Sequence, residues 1–131
     1  MIGIVVVSHS ARIAAGVKEL ADQMAQGRTL IVAAGGLDDD TIGTSVERIH
    51  AALIEADCPG GTLVLVDLGS AVMSAQAAIE MLPDESRGRV TLANAPLVEG
   101  AIVAAVEASI GKALAEVQTA AEAAALFDKL A

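Results

Sequence analysis

Residues 2–10 read Ile-Gly-Ile-Val-Val-Val-Ser-His-Ser, an aliphatic and largely β-branched run that ends abruptly in three polar residues. β-Branched side chains suit a pleated strand, and the absence of polar alternation means that both faces are buried, as in the parallel sheets of α/β proteins. Three further runs share this character: Thr29 to Ala34, Thr62 to Asp67 and Arg89 to Ala93. Between and after them apolar residues recur at helical spacing, which predicts helices near 11–26, 43–57 and 70–82, then Leu97 to Ala108 and a last one from near Lys112 to Leu130. Ile13, Val17, Leu20 and Met24 form the expected inward stripe of the first helix, and Ile42, Val46, Ile49 and Leu53 that of the second. Gly27, Gly60, Gly61 and Pro83-Asp84 stand where helices should stop.

Strands alternating with helices, joined by right-handed crossovers, lead to an α/β fold of the flavodoxin-like, doubly wound kind, with strand order 2-1-3-4. Ligands of such sheets bind beyond the carboxyl ends of the strands where the strand order reverses, here between strands 1 and 3. The residues to inspect are therefore Ser8-His9-Ser10 and Asp67-Leu68-Gly69-Ser70.

The chain of 131 residues is 54% hydrophobic, with 28 alanines, one Phe and neither Tyr nor Trp. That describes a single aliphatic domain over 1–131 and excludes a disordered chain or a multi-domain enzyme. A net charge of −9 repels phosphate backbones and anionic lipid headgroups, so neither nucleic acid nor a membrane surface is an expected partner. The longest stretch without Asp, Glu, Lys or Arg is the 12 residues from Leu68 to Ile79. A membrane span needs about 20 apolar residues. The N-terminus has no basic region and no signal-cleavage pattern, and the single Cys58 has no partner within the chain, so the cytoplasm is the expected compartment.

His9 ends a hydrophobic strand immediately before a helix, with Ser8 or Ser10 placed to cap that helix. The positive end of a helix disfavours an imidazolium, and its free N–H groups can receive a phosphoryl group carried on a histidine. Asp67, ending the neighbouring strand, would accept a hydrogen bond from one ring nitrogen, fix the tautomer and stabilise charge developing on the ring. By position alone, His9 reads equally as a satisfied strand-end histidine, and Asp67 or Ser70 as a helix cap. His50 lies inside the second helical pattern without a carboxylate partner and reads as structural.

The glycines of Gly35-Gly36-Leu37-Asp38-Asp39-Asp40-Thr41-Ile42-Gly43-Thr44-Ser45 permit close approach of a ligand, and Thr44 or Ser45 could donate to a phosphate. The three aspartates lack the alternating ligands and closing Glu of a calcium loop and read as solvated charges, so no metal site is expected. No Walker P-loop and no Gly-x-Gly-x-x-Gly after strand 1 is present, so no nucleotide or other cofactor is expected on the chain itself.

Taken in order, Val7-Ser8-His9-Ser10 with Ala14-Ala15-Gly16-Val17, Gly35-Gly36…Asp38-Asp39…Gly43-Thr44-Ser45, Val66-Asp67-Leu68-Gly69-Ser70-Ala71 and Asn94-Ala95-Pro96-Leu97-Val98-Glu99-Gly100-Ala101 resemble one family. It is the phosphotransferase subunit of the dihydroxyacetone kinase driven by the bacterial phosphotransferase system (PTS), related to mannose-type IIA domains. The resemblance covers nearly the whole chain and rests on the four segments jointly. It implies a homodimer in which His9 is phosphorylated by phospho-HPr and donates to ADP on the kinase's nucleotide-binding subunit, for phosphorylation of dihydroxyacetone. It also implies that Asp67 orients His9, and that Ser10, Gly36, Thr44, Gly69 and Ser70 line the phosphate site. Some members carry fused HPr-like and enzyme I-like domains; this sequence shows neither, so the donor is expected from separate proteins.

Other readings are a mannose-type IIA domain of a sugar PTS and a receiver-like signalling module phosphorylated on Asp67. Receivers need an acidic pair at the end of strand 1, where this chain has Ser8-His9, and a Lys after a fifth strand. A histidine phosphatase would need an Arg beside the nucleophile, and no Arg-His-Gly occurs.

Overall fold

A computed structural model describes all residues, Met1–Ala131. Strand β1 (Gly3–Ser8) leads into helix α1 (Ala11–Met24), β2 (Leu30–Gly35), α2 (Val46–Glu55), β3 (Thr62–Val66), α3 (Gly69–Glu80), the one-turn α4 (Asp84–Arg87), β4 (Val90–Leu92), α5 (Leu97–Ser109) and α6 (Leu114–Ala123). The four strands form one sheet in the order β2-β1-β3-β4, and every pairing is parallel. The expected strand order and doubly wound α/β fold are thus those observed.

Alternation along the strands divides the core in two. Ile4, Val6, Leu63 and Leu65 face α1, α5 and α6, packing with Ala14, Val17, Ala21, Ala101, Ala104 and Val117. Val5, Val7 and Val64 face α2 and α3 and meet Ile49, Leu53, Ala71, Ala75 and Ala78. Both faces of β1 and β3 are dry, which is why their sequences read as unbroken apolar runs.

The inward face of α1 differs from the expected stripe. Ala14, Val17 and Ala21 are buried, whereas Ile13, Leu20 and Met24 are 51%, 45% and 54% exposed. The helix lies so close to β2 that a Cβ on Gly35 would come within 2.8 Å of the Ala14 methyl and 2.5 Å of the Ser10 carbonyl oxygen. Only small side chains fit that interface, so the larger apolar residues turn outward. Ile42 is likewise exposed rather than part of the α2 stripe.

Helix α2 begins at Val46, later than the expected 43, because Gly43 has a φ of 149° and Ser45 caps the helix by accepting from the Arg48 N–H. The last helix is shorter than 112–130. It ends at Ala123, continues as one 3₁₀ turn to Leu126, and leaves Leu126, Phe127 and Leu130 exposed with no burial to hold further turns. No helix is long and apolar enough to cross a membrane.

Candidate functional site

The register places Val7 beside Val66, so the chain turns out of β1 and β3 at the same level and brings Ser8 and His9 against Asp67. Both carboxylate oxygens of Asp67 are engaged. Oδ1 lies 3.0 Å from His9 Nδ1 and accepts from the Leu68 N–H at 2.8 Å. Oδ2 accepts from the His9 N–H and from the Ser8 hydroxyl, each at 2.9 Å. The fully buried Ser8 hydroxyl in turn accepts from the Ser10 N–H at 3.0 Å.

Burial alone would raise the Asp67 carboxyl, but the N–H and ring of His9, the Ser8 hydroxyl and the Leu68 N–H outweigh it and hold Asp67 below its ordinary value. An ionised carboxylate can only accept, so Nδ1 of His9 carries the hydrogen that it donates to Asp67. In the neutral ring the other nitrogen, Nε2, then presents a lone pair. The Ser70 hydroxyl lies 2.8 Å from that nitrogen and is its donor in this tautomer.

The helices around the ring differ in their first turns. Ser10 caps α1, accepting from the Ile13 N–H at 3.2 Å, and Ser45 caps α2. Helix α3 starts after Leu68, and no side chain caps it. Its positive end lies at Ser70, beside Nε2 of His9, and the place of a Cβ on Gly69 is open space.

The expected site residues therefore separate into two groups. His9, Asp67 and Ser70 are joined directly, and Gly69 opens the adjoining helix. Ser10 serves α1 as its cap. Gly36, at a φ of 72°, donates its N–H to the Ser8 carbonyl, and Thr44 is bonded to Ser74 at 2.6 Å rather than to His9. Two contributors escaped the sequence reading: Ser8 as a brace of Asp67, and Gly43, whose N–H donates to the His9 carbonyl at 2.8 Å. The polar Ser8 closing an apolar strand was the available signal for the first. No group of three or more His, Cys, Asp or Glu is arranged to hold a metal ion.

A parallel 2-1-3-4 sheet carries this carboxylate-braced histidine at its switch point, and the chain matches the EIIA-man class of PTS domains. The family model for that class, described as the PTS system fructose IIA component, matches residues 3–118, and the chain belongs to this family. Its curated relatives are more particular: they are dihydroxyacetone kinase subunits called DhaM. The phosphoryl donor subunit DhaM of the PEP-dependent dihydroxyacetone kinase of Escherichia coli K12 is 41% identical over 85% of this chain. This chain spans only 24% of that longer relative. A donor subunit DhaM of Listeria innocua is 36% identical, with 84% of this chain matching 88% of the relative. The phosphotransferase subunit DhaM of the PTS-dependent kinase of Lactococcus lactis is 42% identical over 78% of each chain. A crystal structure of EF1359, a protein described as of unknown function, superposes with a TM-score of 0.79 at 36% identity and covers 91% of both chains.

Proposed function

We propose that this chain is a phosphohistidine carrier of a PTS-dependent dihydroxyacetone kinase. His9 takes a phosphoryl group from phospho-HPr and passes it to ADP held on the kinase's nucleotide-binding subunit, in the cytoplasm. The observation that carries this reading is the division of labour on the His9 ring: Nδ1 is held by Asp67, and Nε2 faces the Ser70 hydroxyl at the uncapped start of α3. The names of the DhaM relatives supply the kinase.

In the charging step the Nε2 lone pair attacks the phosphorus of the donor in line. The bond to the donor nitrogen breaks, and its electron pair returns to the donor ring. His9 keeps its Nδ1 hydrogen, and Asp67 balances the positive charge gained by the ring. The Ser70 hydroxyl swings from Nε2 to a phosphoryl oxygen, joined by N–H groups of the α3 first turn. Discharge reverses these roles: a β-phosphate oxygen of ADP attacks, the Nε2–P bond breaks, and the ring recovers its lone pair. Such a carrier works by positioning and charge stabilisation, and one exposed nucleophile on a small domain is enough.

Intact mass after mixing the protein with phosphoenolpyruvate, enzyme I and HPr tests the reading. One added phosphoryl group is expected, absent from His9→Ala and discharged by ADP only with the nucleotide-binding subunit present. Components that charge a known acceptor yet leave this chain unmodified would refute the proposed donor, and discharge by ADP alone would refute the proposed acceptor.

A further inference from the structure

Arg48, in the first turn of α2, reaches back over the loop that joins β2 to that helix. Its Nη1 donates to the Gly35 carbonyl at 2.9 Å and to the Asp40 carboxylate at 2.8 Å. Its Nη2 donates to the Asp38 carbonyl at 2.9 Å, and Nε lies 3.7 Å from the Asp38 carboxylate. Two of these acceptors are main-chain carbonyls, so the guanidinium fork fixes the backbone of the loop as well as its charges. Asp40 sits at a φ of 62°, a conformation that an L-residue adopts infrequently and that the surroundings must support.

The clamped loop is attached to the reactive residue. Gly36 and Thr44 bridge in parallel across its base. The Gly36 N–H donates to the Ser8 carbonyl at 3.2 Å and the Gly43 N–H to the His9 carbonyl at 2.8 Å. His9 is therefore gripped by its own backbone on both sides, its N–H by Asp67 and its carbonyl by Gly43. Asp67 fixes the ring's tautomer, but the height and tilt of the ring follow from where the backbone is held.

We infer that Arg48 is a positioning residue for phosphoryl transfer at His9: by clamping loop 35–40 it keeps the Gly43 N–H on the His9 carbonyl and so keeps Nε2 aligned for in-line attack. The clamp stands on the geometry alone, whereas its consequence for transfer rests on the carrier reading above. Arg48 also offsets the charges of Asp38 and Asp40. Geometry and charge are separable, because a lysine retains the charge and loses the fork.

The test compares wild type, Arg48→Met and Arg48→Lys by two readouts. In amide hydrogen exchange, Gly43 loses protection by about tenfold or more in Arg48→Met, while Val5 and Val64 in the central strands keep theirs. In rapid-mixing transfer from phospho-HPr, the rate constant at saturating donor falls about ten- to a hundredfold with KM little changed, as expected when a reacting atom is displaced by a fraction of an ångström. Arg48→Lys lies between the two in both measurements. Should Arg48→Met fail to fold, Asp40→Asn weakens the same fork from its exposed rim and is expected to move both readouts in the same direction by less. Unchanged Gly43 protection overturns the clamp. Lost protection with an unchanged transfer rate overturns the positioning role, as does full recovery of rate by Lys while Gly43 stays unprotected. A wild type that phospho-HPr never charges would remove the carrier reading and the transfer role together, and exchange at Gly43 would still decide the clamp.

Discussion

The carboxylate of Asp67 holds His9 twice: Oδ1 lies 3.0 Å from the ring Nδ1, and Oδ2 accepts the backbone N–H of the same residue at 2.9 Å. A single side chain from β3's end thus sets the tautomer of the histidine and anchors the turn that carries it. Substitutions at Asp67 remove these functions to different extents, and the consequences differ.

Asp67→Asn keeps the size of the side chain but replaces one acceptor oxygen with an NH₂ group that faces either Nδ1 and the Leu68 N–H or the Ser8 hydroxyl and the His9 N–H. In the first orientation the ring loses the acceptor that fixes its tautomer, and in either it loses the negative charge that balances its own, so phosphoryl transfer to His9 is expected to fall by about a hundredfold or more. Asp67→Ala also leaves the buried Ser8 hydroxyl without its acceptor, at a stability cost of about 1–3 kcal/mol. Rapid-quench phosphorylation and urea unfolding measure the two effects, and a wild-type transfer rate in Asp67→Asn would show that the carboxylate has no catalytic part.

The depressed Asp67 carboxyl also predicts a pH dependence of stability. Its value in the native protein lies below the ordinary 3.8, so the unfolded chain binds the proton more readily. The resulting stabilisation is complete above the ordinary value and is lost as pH falls through the lower native one. Asp39 and Glu99 are shifted in the same direction, by Thr41 and Lys129 respectively, and contribute to the same acid limb. Urea midpoints measured from neutral pH down to about pH 2 should fall steeply at the acid end for wild type and less steeply for Asp67→Asn. Parallel curves would mean that Asp67 titrates alike in both states.

Much of this site was legible before the fold was known, because a polar Ser-His-Ser after a β-branched run and an Asp after the third such run can only meet at a switch point. What the sequence concealed was distance. Periodicity weights large apolar residues and so selected Ile13, Leu20 and Met24, yet the close approach of α1 to β2 admits only Ala14, Val17 and Ala21. The loop residues were noticed for their glycines and aspartates. Nothing local indicates that Gly43 reaches the His9 carbonyl, a contact between segments 34 residues apart in sequence (43 minus 9). The alanine-rich tail illustrates the opposite error: its helix propensity suggested continuity to Leu130, but burial ends near Ala124 and the helix ends with it.

Ser70 makes one hydrogen bond to the ring and lies on the exposed side of the site. Ser70→Ala removes the hydroxyl that lies against Nε2 and that the proposed mechanism moves to the phosphoryl group, while the N–H groups of α3 remain. Transfer should slow by about tenfold, the share of one donor among several, with a melting temperature close to wild type. Hydrolysis of the phosphorylated form offers a second readout, since a phosphoryl group with one donor fewer is less well held. A Ser70→Ala protein that charges and discharges at the wild-type rate would reduce the contact to a feature of the unphosphorylated state.

Gly35 tests whether the placement of His9 depends on how tightly α1 sits on the sheet. It ends β2 beside Ser8, and a Cβ there would lie 2.5 Å from the Ser10 carbonyl oxygen, 2.8 Å from the Ala14 methyl and 2.9 Å from the Ala11 Cα. Two of these atoms are backbone and belong to the start of α1, so no side-chain rotation relieves the overlap. The helix must move outward, and His9, one residue before its cap, moves with it. Gly35→Ala is therefore expected to cost about 1–3 kcal/mol in urea unfolding. It should also lower the transfer rate in the fraction that remains folded, because the ring no longer meets both Asp67 and Ser70. Gly16→Ala is the matched control: it lies on the same helix with nothing within 4 Å of the new methyl, and alanine in a helix interior should raise stability by about 0.5–1 kcal/mol. If Gly35→Ala left stability and transfer unchanged, the tight seat of α1 on β2 would not be what places the histidine.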